Sequence, residues 1–300
     1  MDMTQNKCCR HGASLRRRRR RRRKILRSII FSCSIIAVAG FVAVGSRMIT
    51  SGDGGTNKYD VEAGNNTYDN AVIENSKISE KNKIQNEQSM LDDIMNSTQY
   101  PKQLKDLALK NEEALEFVYD YPAEHVKEHT IDLTEEASMD SVPLFVQWDK
   151  RWGYEKYSGN FFAASGCGPT TLSMVVVYLT HNRDASPLAV AKYSKEAGYS
   201  VDGSGSSWTL ISEGCRHYGV KAKTVALDES RMKAELDAGH PIVINVGPGD
   251  FTDTGHFMVI TGYDDEGFSI NDPNSIEKSG KRWLFKNISS QIRAVWSMYV

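Results

Sequence analysis

Cysteine is scarce in this chain. Five occur in 300 residues, and three of them, Cys8, Cys9 and Cys33, fall before residue 48. Cys167 and Cys215 are left for the remainder, too few for the disulfide framework that holds small secreted domains together. Acid is missing from the first 47 residues, which hold one acidic side chain against 13 Lys and Arg. The near-neutral net charge of −1 therefore hides a basic tail attached to an acidic body. Charged residues make up 25% and hydrophobic residues 40%, a balance that excludes wholesale disorder. Gly203-Ser204-Gly205-Ser206-Ser207 lacks the lysine of a phosphate-binding loop, and reads as a flexible loop beside a cleft.

What is present begins with a membrane signal. Residues 16–23 are all arginine, followed by Lys24 and Arg27, and 19 uncharged residues separate Arg27 from Arg47. A helix of that length spans about 28 Å, close to the hydrocarbon thickness of a bilayer. The basic flank stays cytoplasmic, so the rest of the chain is expected outside the cell membrane, anchored by a single pass. This explains the arginine run without nucleic acid. A cleaved signal peptide is the other reading, with small residues around Ala43-Val44-Gly45, but the apolar run is long for one. The expected organisation is a basic tail (1–27), a transmembrane helix or signal anchor (28–46), a flexible polar stalk (47–88), a helical arm (89–141) and a folded domain (142–300).

In the arm, Leu104, Leu107, Ala108, Leu115 and Val118 share one face of a helix expected to start at Pro101 and end at Pro122. The domain opens with the strand-like VPLFVQWDKRWG. Apolar helical patterns follow from Cys167, from Ser186-Pro187 and over residues 207–218; Asp228 caps a further helix. Residues 221–227, 241–247, 256–264 and 267–272 read as strands. Helices first and an antiparallel sheet after them make the fold class α+β.

Cys167 stands where Ser165-Gly166 turns into an apolar helix. A helix N-terminus favours a thiolate, and an imidazole partner would stabilise it further. Flanking Gly166 and Gly168 would let the backbone approach a substrate closely, with the Cys167 N–H facing an oxyanion. His256 opens the strand HFMVITGYD, and Asp272 ends the next one. A hairpin brings two such positions together, where the carboxylate can fix the ring's tautomer. Taken separately, each residue has a structural explanation as well: a buried thiol, a strand-edge histidine and a turn aspartate.

SGCGPTTLSMVV and PIVINVGPGDFTDTGHFMVITGYDDEGFSINDPN resemble the family thirty-nine-like cysteine peptidases, papain-like relatives of bacteriocin leader peptidases. The resemblance covers residues 142–300, and residues 100–122 are similar to the amino-terminal arm of exported Gram-positive members. It implies a papain-like fold, with Cys167 as nucleophile, His256 as general base and acid, and Asp272 as the orienting group. It also implies a glutamine oxyanion donor, which Gln147 fits by motif although it lies 20 residues before the cysteine. The substrate would be a peptide or protein, with no metal or organic cofactor. A peptidoglycan-peptide hydrolase, or a catalytically silent surface-binding module of the same fold, are the alternatives.

Two further constellations are weaker. His125, Glu128 and His129 spell an inverted zinc-peptidase motif, but without an obvious third ligand. Cys215 and His217 read as a core thiol near a surface histidine. The topology is directly testable: protease added to intact protoplasts should remove the body and leave the arginine-rich tail protected. A protected body would reverse the orientation.

Overall fold

A computed structural model describes residues 66–300, with side chains from residue 78. The basic tail, the candidate membrane segment and the first part of the stalk lie outside the described residues. Among those described, no helix is long and apolar enough to cross a membrane.

Where irregular stalk is expected, the chain is helical: α1 runs over Asn66–Asn96. Most of residues 78–89 are exposed, and a solvated helix with no apolar stripe leaves no period to read. Among its described side chains only those of the last turns pack, with Ile94 fully buried. The arm is also not one helix. α2 (Lys102–Lys110) stops where Asn111 turns extended, with φ −127° and ψ 106°, and the Asn111 side chain accepts from the Glu113 N–H to start a new turn. Short helices Leu115–Tyr119 and Tyr121–Glu124 follow, and Pro122 sits in the first turn of the second rather than ending a helix. The apolar face survives the breaks. Leu104, Leu107, Leu115 and Val118 join Phe161 and Ala163 in one buried cluster, which docks the arm on the domain.

The domain contains α3 (Cys167–Thr180), α4 (Pro187–Glu196) and α5 (Glu229–Asp237). The expected caps are in place: Ser186 Oγ accepts from the Ala189 N–H, and Asp228 Oδ1 from the Arg231 N–H. Two small hairpins, β1 (Lys156–Tyr157) with β2 (Asn160–Phe161) and β3 (Ser200–Val201) with β4 (Gly205–Ser206), flank α3 in sequence. The helix expected over residues 207–218 divides into a turn of α-helix, Thr209–Ser212, and a 3-10 segment, Gly214–Tyr218.

The main sheet is antiparallel throughout. Its strands are β5 (Lys221–Thr224), β6 (Ile242–Val246), β7 (His256–Asp264), β8 (Gly267–Asn271), β9 (Arg282–Trp283) and β10 (Ile292–Tyr299), in the order β5-β10-β6-β7-β8-β9. Central β10 falls outside the strands read from sequence. Its register slips between Ile292 and Ala294, and that bulge breaks the period-two alternation. The opening VPLFVQWD forms no strand either. The Val142 and Pro143 carbonyls accept from the Asn271 side chain, so a single amide stands in for a ladder. Phe145 and Trp152 nonetheless anchor that segment in the core.

Both faces of the sheet are covered, so β6 is buried at every residue. Val243, Phe257, Val259, Trp296 and Met298 pack with α3 and α4. Ile242, Ile244, Val246, Met258 and Ile260 face a second core that contains Met232 of α5. The registers Ile244↔Met258 and Val243↔Trp296 place partners in the same core, as side-chain alternation requires. Met232 is fully buried and pins α5 to the sheet. Met232→Ala should cost about 2–5 kcal/mol in urea unfolding; a loss below about 1 kcal/mol would contradict this packing.

Candidate active site

α3 starts abruptly. Gly166 is its N-cap without a side-chain cap, and the first-turn N–H of Gly168 meets the thiol instead of a hydroxyl or carboxylate. Cys167 remains partly exposed, whereas Cys215 is buried. Burial pushes the Cys167 thiol up, but the hydrogen bond and charge of His256, with the backbone N–H groups of Phe257 and Gly168, outweigh it and leave the thiol lowered. At Cys215 burial outweighs the opposing Arg216 charge and nearby backbone N–H groups, and the thiol is pushed up to about 11.

The two glycines beside Cys167 do a different job from the one expected. A Cβ at Gly166 would lie 2.5 Å from the Phe162 ring, and one at Gly168 would lie 2.5 Å from Ser206 Oγ. Protein side chains, not an open approach for substrate, fill that space. Ser206 comes from the Gly203–Gly205 segment, which is a tight hairpin rather than a flexible loop. Ser206 Oγ in turn meets the Tyr157 hydroxyl at 2.6 Å, and Tyr157 meets Ser194 at 2.8 Å, so a buried polar network braces the start of α3.

His256 and Asp272 meet because of the β7–β8 register. Val259 pairs with Asn271. Asp272 directly follows β8 and His256 opens β7, so the hairpin brings the two to the same end of the sheet. His256 Nε2 donates to Asp272 Oδ1 at 2.6 Å, and both residues are buried. That leaves Nδ1 as the ring nitrogen available to the thiol. Desolvation pulls the imidazole down, but the charge and hydrogen bond of Asp272, then those of Cys167, raise it strongly. The carboxylate has no exposure at all, and its ion-pair partner is His256. Asp272 Oδ2 has no hydrogen-bond partner, so the imidazolium is the main compensation for this buried charge.

Gln147 is brought close despite its distance in sequence. Residues 148–166 fold back on themselves: the Phe162 N–H donates to the Glu155 carbonyl, and the Ala163 N–H to that of Gly153. The buried Gln147 side chain then donates through Nε2 to the Ala163 carbonyl at 2.7 Å, four residues ahead of Cys167. Its backbone N–H donates to the Pro273 carbonyl at 2.7 Å, beside Asp272.

The weaker constellations separate from this centre. The helix Tyr121–Glu124 ends before His125, so the zinc-like spacing does not lie on one helical face. His125 stacks on Tyr121 with its Nδ1 donating to the Tyr121 carbonyl, and His129 donates to the Glu124 carbonyl. His217 stacks on Tyr193, with ring centroids 4.0 Å apart. Sequence reasoning missed the residues that secure the Asp272 turn, Asn111, Glu113 and Trp148, which bond to it from far upstream. Only the capping pattern Asn-x-Glu hints at the first two.

Comparison with solved structures finds the peptidase domain of Streptococcus ComA, a bifunctional ABC transporter involved in quorum sensing. It is 18% identical, with a TM-score of 0.39, over 53% of this chain and 96% of that one. A chain described as a C39-like peptidase from Bacillus anthracis is 17% identical, with a TM-score of 0.34, over 53% and 95%. No curated protein matches. The model of the Peptidase_C39 like family matches residues 139–300, more than half of the chain and the whole of the Cys167, His256 and Asp272 cluster, and the chain belongs to that family.

Proposed function

We propose that this chain is a membrane-anchored extracellular cysteine peptidase of papain-like type, hydrolysing peptide bonds through Cys167, His256 and Asp272. Family membership supports a peptidase. The observation that carries the cysteine mechanism is a thiol at a helix start beside an imidazole whose far nitrogen is held at 2.6 Å by a buried carboxylate, an arrangement that lowers the thiol.

In the resting pair the thiolate faces the imidazolium. The thiolate attacks the scissile carbonyl carbon, a C–S bond forms, and the π electrons move to the carbonyl oxygen. The Cys167 N–H at the helix end and the amide of Gln147 are the proposed donors to that oxyanion. As the intermediate collapses, the C–N bond breaks, and His256 gives its proton to the departing amine. A thioester and a neutral imidazole remain. His256 then takes a proton from water, whose oxygen attacks the thioester. Collapse releases the carboxylic acid and restores the thiolate–imidazolium pair. Asp272 keeps Nε2 protonated and stabilises the charged ring, so that Nδ1 handles the proton. The arginine run and the apolar segment after it support the anchoring and the external location.

Two outcomes test the reading. An ordinary thiol of pKa about 8.5 is about 0.3% ionised at pH 6. In the full-length chain, iodoacetamide at pH 6 should alkylate Cys167 at least about tenfold faster than Cys215, followed by peptide mass spectrometry. Turnover should vanish with the same time course. His256→Ala should slow that labelling, Asp272→Ala should slow it less, and EDTA should change nothing. Equal labelling of the two cysteines, or activity surviving full modification of Cys167, would remove the nucleophile.

For the oxyanion role, Gln147→Ala should lower turnover of a peptide cleaved by the wild type by about a hundred- to a thousandfold, roughly 3–4 kcal/mol, with the fold retained. A loss under about threefold would move the role elsewhere, with Asn160 the next residue to test.

A further inference from the structure

The turn that carries Asp272 lies beyond the end of β8, and β9 after it is only two residues long. The sheet therefore holds little of residues 272–277. Local bonds shape the turn: the Asn274 N–H donates to Asp272 Oδ1 at 2.8 Å, and the Asp272 N–H to Ser279 Oγ at 2.9 Å. Besides the His256 bond to Asp272, the turn is attached to the rest of the molecule by the Gln147 N–H, which donates to the Pro273 carbonyl at 2.7 Å, and by two residues of the arm.

Asn111 Nδ2 donates to the Asn274 carbonyl at 2.9 Å and to Asn274 Oδ1 at 3.1 Å. The Glu113 carboxylate accepts from Ser275 Oγ, from the Ile276 N–H at 2.7 Å and from the Glu277 N–H at 3.1 Å. Asn111 Oδ1 accepts from the Glu113 N–H at 3.1 Å, so the two side chains are set relative to each other before they reach the turn. Both belong to the break in the arm helix that the apolar pattern does not anticipate. Both also lie outside residues 139–300, the part that matches the family.

We propose that Asn111 and Glu113 are positioning residues for the active site. The arm clamps the Asp272 turn, and through Asp272 it fixes the His256 ring and the ionisation of Cys167. This rests on the triad reading above. It makes the arm, and the long helix leading into it, a structural part of the peptidase rather than a spacer. Asp272 Oδ1 serves both His256 and the Asn274 N–H, so a shift of Asn274 moves the oxygen that orients the ring. Glu113 adds charge-assisted acceptors for two backbone N–H groups, the stronger kind of hydrogen bond.

The test is the pH profile of Cys167 alkylation by iodoacetamide in the full-length chain, resolved by residue. The thiolate reacts, so losing the clamp should move the half-maximal rate to higher pH. Glu113→Ala should slow labelling at pH 6 by about three- to tenfold while leaving the rate at pH 10 within about twofold. Glu113→Gln keeps an acceptor for the backbone N–H groups and should recover most of that loss. Adding Glu113→Ala to Asp272→Ala should cause no further slowing, because both act through one group. Buried Cys215 reports folding in the same sample. Should Glu113→Ala expose it, Asn111→Asp provides the same test: it keeps an acceptor for the Glu113 N–H and replaces the donor to Asn274 with a carboxylate oxygen that repels it.

A purely structural arm would change stability without shifting the profile. Wild-type profiles in both Glu113→Ala and Asn111→Asp, with Cys215 protected, would overturn the clamp while leaving the triad standing. A wild-type Cys167 that labels only as an ordinary thiol would remove the triad reading, and the clamp with it.

Discussion

Everything at the site depends on one buried charge. Asp272 has no exposed surface, and a carboxylate in that position is tolerated only with a cation and hydrogen bonds against it. His256 supplies both at 2.6 Å. The ring is thereby held charged and turned with Nε2 away from the thiol, and the charged ring draws Cys167 toward the thiolate against the opposing effect of burial. Without the carboxylate, desolvation alone would favour a neutral ring and a neutral thiol, an unreactive pair. In the proposed mechanism the thiolate is favoured by a group two side chains away from the sulfur.

The fold brings three separate pieces to that point. α3 delivers Cys167 at a helix start, where uncapped N–H groups and the dipole favour negative charge. The β7–β8 hairpin delivers His256 and Asp272 to the same end of the sheet, where they bond. The arm delivers the hydrogen bonds that hold the Asp272 turn where the sheet gives out. Cores on both faces of the sheet make the first two rigid, and a third core of arm residues with Phe161 and Ala163 ties the last to the strand and helix that lead into Cys167. Ala163 is also the residue whose carbonyl receives Gln147, so the packing that docks the arm also sets the segment just ahead of the nucleophile.

Much of this was legible in the residues. Ser186 and Asp228 mark their helix starts because capping is local chemistry, and β6 to β8 show because a buried hairpin repeats every two residues. The Cys167, His256 and Asp272 grouping followed from a helix start, a strand start and a strand end. What escaped were features set by distant partners or broken periods. The bulge near Arg293 hid β10, and the extended residue Asn111 split a helix whose apolar face continues across the gap. Residues 78–89 of α1 are mostly exposed and carry no apolar stripe, so the helical state of that stretch leaves no hydrophobic trace. Gly166 and Gly168 looked like openings for substrate, yet Phe162 and Ser206 occupy the space, and nothing in the local sequence reveals that Ser206 returns there. The Asn111–Glu113 contact with the Asp272 turn joins residues about 160 positions apart, beyond the reach of any pattern argument.

The central claim is that His256 is an imidazolium at neutral pH, held by Asp272 and matched by the Cys167 thiolate. Nitrogen-15 NMR of the chain labelled at histidine reads this directly, since a charged ring shows both nitrogens protonated. At pH 7 the His256 signals should be those of the charged ring, and in Cys167→Ala the ring should lose its proton at lower pH than in the wild type, because the thiolate's share of the stabilisation is gone. A neutral His256 ring at pH 7 in the wild type, or a titration unchanged by removing Cys167, would contradict the ion pair on which the proposed chemistry stands.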